Sequence, residues 1–557
     1  MTQASLNRGS GSGLHMFLMF LFCCFSMSLG WRIRGQYGHE TGAAIAGALG
    51  AMAIVLCDGR REWLSRIACF AVLGGLGWGF GGSISYMKVV GFTESSQSAT
   101  VLYGFAGLFL IGFLWSAPGA AATAIAATWT PGQLQSLLRV IFLVCAGWFV
   151  QDVALDTLSE ERVKSLNWYD TDWIAASVAL GVALIELLRR GAQDIGARLV
   201  AYLAAGWWVA FLSIVVVAEL RLNPPRGDNW SGCVGVVAGL LLFCHRNHFH
   251  AVMRATLITG ISGAALFCVG QMAKLGLIST GGKFGWHATM EFIHGGVLGI
   301  ALTLGMSEII RRRGTRADGE PGTVWPSWCG TMSIWFLLWL IPYLNLRKSP
   351  QRWARDIPAF PESFFGLHAV SNFLPSRTAV GWMEILFLAW ALILIPLLVM
   401  RRRRPLQLIP ENLLGRGQLL YLAFTWLFTW ISFTSEIADM APVHFLVQWG
   451  ITLNAFICTG LLFVVSGRHN VPTSVSGESV SGESLQFSER SAAAYVANAA
   501  ARPVRPIKQL VVAGLLALVM TSAGGWIWKR WLFGDQYTGY FPTNHIRFGP
   551  DNTNDKK

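Results

Sequence analysis

The stretch Gly30-Trp31-Arg32-Ile33-Arg34-Gly35-Gln36-Tyr37-Gly38-His39-Glu40-Thr41-Gly42 sets two arginines, a histidine and a glutamate between two apolar runs, 14–31 and 41–57. Both runs read as helices crossing a hydrocarbon core of about 30 Å. The charges then stand at a bilayer boundary, where desolvating an ion costs on the order of several kcal/mol. Something must offset that cost, either a partner charge or a function.

Outward from this stretch the same pattern recurs. Of the 557 residues, 53% are hydrophobic and only 13% charged, with 25 Trp and 34 Phe, and the mean hydropathy is +0.48. That composition is far from the soluble average. Further apolar runs lie at 63–83, 100–116, 136–154, 171–190, 197–219, 230–244, 251–272, 286–310, 328–345, 379–400, 416–435, 443–466 and 509–528. The runs 41–57 and 230–244 are the shortest, and the small-residue run 117–129 reads as a re-entrant segment. The fold class is therefore an all-α, polytopic membrane protein of about 14–15 transmembrane helices. An N-terminal secretion signal is the competing reading of the first run. No clean small-x-small site with a soluble domain behind it follows Ser26-Met27-Ser28.

Orientation is read from Lys and Arg in the loops. With the N-terminus cytoplasmic, the inside loops carry Arg60, Arg61 and Arg66, then Arg139, then Arg189, Arg190 and Arg198, then Arg246 and Arg254, then Arg311 to Arg313 and Arg316, then Arg401 to Arg404 and Arg416. The formal charge of +13 is thus an anchor at the cytoplasmic face. No basic run is interleaved with an aromatic platform, so nucleic acid is not an expected partner. The expected partners are the lipid bilayer and a small-molecule solute or lipid. The ten cysteines show no CxxC and no paired spacing, which points away from a disulfide framework and a cysteine zinc site.

Arg34-Gly35, Ala46-Gly47 and Leu49 align without gaps with Arg226-Gly227, Ala238-Gly239 and Leu241. Both copies follow one span and open another, with six spans from the first to the second, as a parallel duplication requires. The implied organisation is a first six-helix repeat at 1–195, a second at 196–405, an additional helix pair at 406–466, a flexible cytoplasmic linker at 467–508, and a final helix with a polar tail at 509–557. Chance likeness between Gly- and Ala-rich helices is the plain alternative. The glycines around Gly74, Gly75, Gly77 and Gly79 read as close helix packing, since a nucleotide loop would need a strand before it.

The turn Cys57-Asp58-Gly59-Arg60-Arg61 resembles the loop between the second and third helices of major facilitator transporters, whose pattern runs glycine, aspartate, arginine, glycine, arginine. The aspartate and the arginine pair match. Asp58 is followed directly by Gly59, however, and no glycine stands four residues before it. The resemblance covers at most residues 14–400 and implies a secondary transporter built from two six-helix halves.

Three polar groups fall on the expected outside half. The opening stretch supplies Arg32, Arg34, Gln36, His39 and Glu40. At the start of 286–310, His287, Glu291 and His294 are spaced to share one helical face. That face suits a proton site, because an imidazole beside a carboxylate is a relay pair. It also suits a divalent metal on His287, Glu291 and His294, or plain hydrogen bonding to neighbouring helices. Glu436, Asp439 and His444 form the third group, or only a solvated turn. Asp152, Glu186, Glu219, Glu308 and Glu384 fall near helix ends, where snorkelling or an adjacent arginine relieves them.

No Walker loop, HExxH or Gly-x-Ser-x-Gly motif is present, which disfavours an ATP-driven pump or a soluble-type hydrolase. The leading function is a secondary transporter of a small, anionic, proton-coupled solute. In it Arg32 and Arg34 hold the anion, while His39 with Glu40, or Glu291 with His294, takes the proton. The runner-up is a membrane-embedded enzyme with an outward-facing His/Glu site acting on a lipid or lipid-linked substrate. A structural or sensory membrane protein is the third reading.

Overall fold

The computed structural model describes residues 3–37, 40–81, 86–159, 161–162, 172–218, 227–281, 285–312, 327–346, 389, 392–393, 396, 415–436, 442–469 and 507–536. Among these residues the chain is helical and contains no strand. Among the described residues nine helices are long and apolar enough to cross a membrane, and Ile67–Gly81 and Trp230–Arg246 are shorter apolar helices. The run 41–57, doubtful by length, is one of the nine and the most enclosed, with 89% of its window buried. The runs 171–190, 328–345, 379–400 and 416–435 are not among them; 328–345 is divided by a π-helix over Phe336–Leu340, and most of 379–400 lies outside the described residues.

Two compact units make up the chain, Met1–Gly79 with Gly281–Pro506, and Phe80–Thr280 with Ile507–Lys557. The first contains α1 (Gln3–Tyr37), α2 (Glu40–Asp58), the short α3 (Arg61–Ser65) and most of α4 (Ile67–Gly81). Helices from later in the sequence join them. These are α12 (Trp286–Arg312), α13 (Ser327–Trp335), α14 (Ile341–Leu346), α15 (Arg416–Glu436) and α16 (Pro442–His469). α1 is the hub of this unit and packs on α2, α12, α15 and α16. Its polar attachments are Ser26 with the Tyr421 hydroxyl at 2.6 Å, and Asn454, whose amide bridges the Phe25 carbonyl at 3.3 Å and the Leu29 N–H at 3.2 Å.

The second unit holds α5 (Met87–Thr93), α6 (Ser98–Thr128), α7 (Pro131–Thr157), α8 (Asp172–Arg190) and α9 (Ile195–Ala210), which runs on as a π-helix over Phe211–Val217. α10 (Gly227–Arg246), α11 (His250–Ser279) and α17 (Ile507–Phe533) complete it. α6, α11 and α17 pack on one another, as do α7, α8 and α9. Thr130-Pro131-Gly132-Gln133 starts α7 with a reciprocal capping box, Thr130 Oγ1 accepting from Gln133 N–H and Gln133 Oε1 from Thr130 N–H.

Two expectations are corrected here. The run 117–129 is no re-entrant segment: it is the second half of the continuous helix α6, with Pro118 inside it. Nearby hydroxyls bond back to the helix, Ser116 to the Gly112 carbonyl at 2.6 Å and Thr123 to the Gly119 carbonyl at 2.8 Å. The opening stretch is not a connector from residue 32 onward either. α1 continues through Arg32, Arg34 and Gly35 to Tyr37, so both arginines are helical residues projecting from a span's last turns.

Candidate functional site

The site is set by the register of α1 on α12. A side chain at Gly299 would come 2.3 Å from the Cys23 carbonyl, one at Gly295 would come 2.5 Å from the Met27 carbonyl and the Trp31 Cβ, and one at Gly35 would come 2.0 Å from Glu291 Oε2. Cys23, Met27, Trp31 and Gly35 recur every fourth residue along α1. Glu291, Gly295 and Gly299 do the same along α12. The two stripes therefore run antiparallel, and the glycines let the backbones close to contact. Ser28 Oγ donates to the Phe292 carbonyl at 2.8 Å and locks the register.

This packing delivers Glu291 to the arginines. Arg32 Nη1 lies 3.6 Å from Glu291 Oε2 and Arg34 Nη1 lies 3.6 Å from Glu291 Oε1. The side chains are 10% exposed for Arg32, 2% for Arg34 and 3% for Glu291. Both contacts are longer than a hydrogen bond, so one carboxylate sits between two guanidinium groups at ionic range. The Arg34 guanidinium also lies 5.0 Å from the Trp31 ring centroid, a cation–π arrangement. Trp31 in turn meets Trp78 edge-on at 6.2 Å.

α2 closes the other side. A Cβ on Gly42 would come 2.9 Å from Arg34 Cα and Cγ, and one on Gly30 would come 2.5 Å from Ala46 Cα. The start of α2 is pinned by Asn345, which donates to the Thr41 carbonyl at 3.3 Å and accepts from Thr41 Oγ1 at 2.9 Å. His294 is fully buried three residues beyond Glu291 on α12.

Of the residues singled out in the sequence, Arg32, Arg34 and Glu291 thus come together, with His294 beside them in the chain. The side chains of Gln36, Glu40, His287 and Glu436 lie outside the described residues, as do His39 and Asp439 entirely and the side chain of His444. Among the described residues no group of three or more His, Cys, Asp or Glu is placed to hold a metal ion.

At the turn after α2, Gly59 takes φ +72 and ends the helix, a backbone state that glycine adopts without strain. Asp58 Oδ1 lies 2.7 Å from Arg60 Nε, and the Arg60 guanidinium stacks 4.8 Å from the Trp63 centroid. Arg60 Nη2 donates to the Ile310 carbonyl at 3.3 Å, tying the turn to the far end of α12.

In the second unit Glu186 pairs with Arg189 at 3.2 Å, as its spacing suggests, and also with Arg139 of α7 at 2.9 Å. Arg139 additionally pairs with Asp194, the N-cap of α9. A polar group that sequence reasoning passed over lies elsewhere in this unit. Lys274 Nζ is 2.7 Å from Glu94 Oε1, with Gln271 and Thr93 fully buried beside them. Its one sequence signal is Gln271 and Lys274 three residues apart around the end of an apolar run.

Neither a family model, nor a curated protein, nor a solved structure matches this chain.

Proposed function

We propose that the protein is a multi-pass membrane transporter for a small anionic solute, with Arg32 and Arg34 as the anion-binding groups and Glu291 as the proton-accepting group that gates them. One observation carries the reading: two buried guanidinium groups share a single carboxylate at 3.6 Å each, on helices apolar enough to span a bilayer. Ions are costly in such a setting and mark solute or proton paths. A carboxylate held at ionic range between two arginines occupies the place that a solute carboxylate or phosphate would take. Protonating Glu291 removes its hold on both guanidinium groups, and the solute anion replaces it. Proton and anion then bind together, and His294 on the same helix is the relay.

The parallel duplication belongs to this proposal. Its matched glycines both sit at close helix contacts, though with different neighbours: a side chain at Gly47 would come 2.4 Å from the Gly74 carbonyl on α4, later in the chain, and one at Gly239 would come 2.2 Å from the Tyr202 carbonyl on α9, the helix that precedes it. The likeness of the Asp58–Arg61 turn to major facilitator transporters and a cytoplasmic N-terminus from the arginine-rich loops complete the proposal.

The test is uptake by protein reconstituted in liposomes, with labelled inorganic phosphate, lactate and succinate offered separately under an inward proton gradient. Uptake of at least one, lost in Arg34→Met and in Glu291→Gln while both variants remain folded, is the expected result. Equal uptake by Glu291→Gln removes Glu291 from the mechanism.

A further inference from the structure

Glu94, Lys274, Gln271 and Thr93 form a closed hydrogen-bonded group in the second unit with one atom left over. Thr93 Oγ1 donates to the Val90 carbonyl at 2.6 Å, so toward Gln271 it can only accept, which it does from Nε2 at 2.8 Å. The same Nε2 faces Glu94 Oε1 at 3.5 Å, and Lys274 Nζ donates to that oxygen at 2.7 Å. Two acceptors therefore fix the amide with its nitrogen toward the ion pair. Gln271 Oε1 is left buried with no donor, at a residue with 0% exposure. A buried amide oxygen without a donor costs on the order of 1–3 kcal/mol.

We propose that this group is a proton-uptake site, with Glu94 as the proton acceptor and Gln271 as the amide that turns to receive it. The charged carboxylate needs the amide nitrogen. The protonated acid needs an acceptor. Rotation of the amide about its terminal bond puts Oε1 where Nε2 now stands, against Thr93 Oγ1 and the Glu94 carboxyl. The acid O–H then donates to Oε1, the Thr93 hydroxyl turns from the Val90 carbonyl to the same atom, and the amide nitrogen takes the place that Oε1 leaves. The proton comes from solvent and ends on the Glu94 carboxyl. Lys274, whose side chain is 10% exposed, donates to the acid's carbonyl oxygen.

Few other titratable groups act on Glu94 among the described residues of the helices packed around it. On α6, Tyr103 meets Phe92 with ring centroids 5.6 Å apart. On α11, the Cys268 thiol donates to the Phe105 carbonyl. On α17, the Lys529 ammonium is engaged by the Gly534 and Gln536 carbonyls at 3.1 and 2.7 Å. The side chain of Lys88 on α5 lies outside the described residues. This site stands in the second unit and does not depend on the transporter reading.

Infrared difference spectra between acid and alkaline pH, on the full chain in lipid, test it. One protonated-carboxylic C=O component of the wild-type spectrum should be missing in Glu94→Gln, while the components of Glu291 and the other carboxyls remain. In Gln271→Leu, whose side chain offers no acceptor, the same component should move to higher frequency. A wild-type spectrum left unchanged by Glu94→Gln, or a Glu94 component that keeps its frequency in Gln271→Leu, overturns the proposal. If Glu94→Gln fails to fold, the Gln271→Leu shift decides alone.

Discussion

Gly35 and Glu291 face each other so closely that a Cβ on the glycine would stand 2.0 Å from the carboxylate oxygen Oε2 and 2.6 Å from Oε1. The carboxylate lies across the bare backbone of α1, and this is how it reaches Arg32 and Arg34. Alanine at 35 must push Glu291 off the arginines. Gly35→Ala should therefore destabilise the protein by about 1–3 kcal/mol, through the weakened contacts of the buried charges rather than through overpacking, despite alanine's better helix propensity. Thermal melting of purified protein checks this; an unchanged or raised melting temperature refutes the register drawn between α1 and α12.

The Arg34–Glu291 pair lends itself to a double-mutant cycle. Breaking a buried ion pair from one side costs about 3–5 kcal/mol. Arg34→Met and Glu291→Gln should each cost toward the lower end of that range, because the 3.6 Å contact is long. Combined, they should cost clearly less than their sum. Strict additivity in denaturant unfolding would mean that the two residues do not interact.

If Glu291 stands where a solute anion binds, then removing its charge should be repaired by the anion. Glu291→Gln should melt lower than the wild type, and saturating inorganic phosphate or succinate should raise its melting temperature more than it raises that of the wild type. Equal shifts in both proteins would separate the arginines from anion binding.

Asp194 gives a pH dependence outside the spans. Burial pushes its carboxyl upward, but this is outweighed by the Ser136 hydroxyl, the Ala197 N–H and the Arg139 guanidinium, which together hold it below the usual carboxylate value. A lowered folded-state value means stabilisation that is full above the unfolded carboxylate range, near pH 4, and lost as pH falls through the folded value. Acid titration of stability should show this loss in the wild type and not in Asp194→Asn. Ser136→Ala removes one donor and should move the loss to higher pH.

The sequence made the helices legible because spans declare themselves by length and apolarity. It also exposed Arg32, Arg34 and Glu291 one by one, since each is an ion in an apolar surround. Their meeting was not legible, because it depends on which helix lies beside α1 and in what register. Gly295 and Gly299 decide both, and they look like any other small residues until their neighbour is known. Glu94 was missed for a different reason. It sits in Thr93-Glu94-Ser95-Ser96, which reads as a polar connector, yet Thr93, Glu94 and Ser95 are buried. Pro118 and the small residues around it misled in the opposite sense, suggesting a broken segment where the helix runs on.

In the proposed mechanism protonated Glu291 yields its two arginines to the solute anion, and proton and anion cross together. The most direct measurement of this is the internal pH of liposomes containing the protein and a trapped pH-sensitive dye, followed after an inward gradient of the transported anion is applied. The expected result is acidification with the wild type and none with Glu291→Gln, although the variant still binds the anion. Acidification by Glu291→Gln at the wild-type rate would contradict the claim.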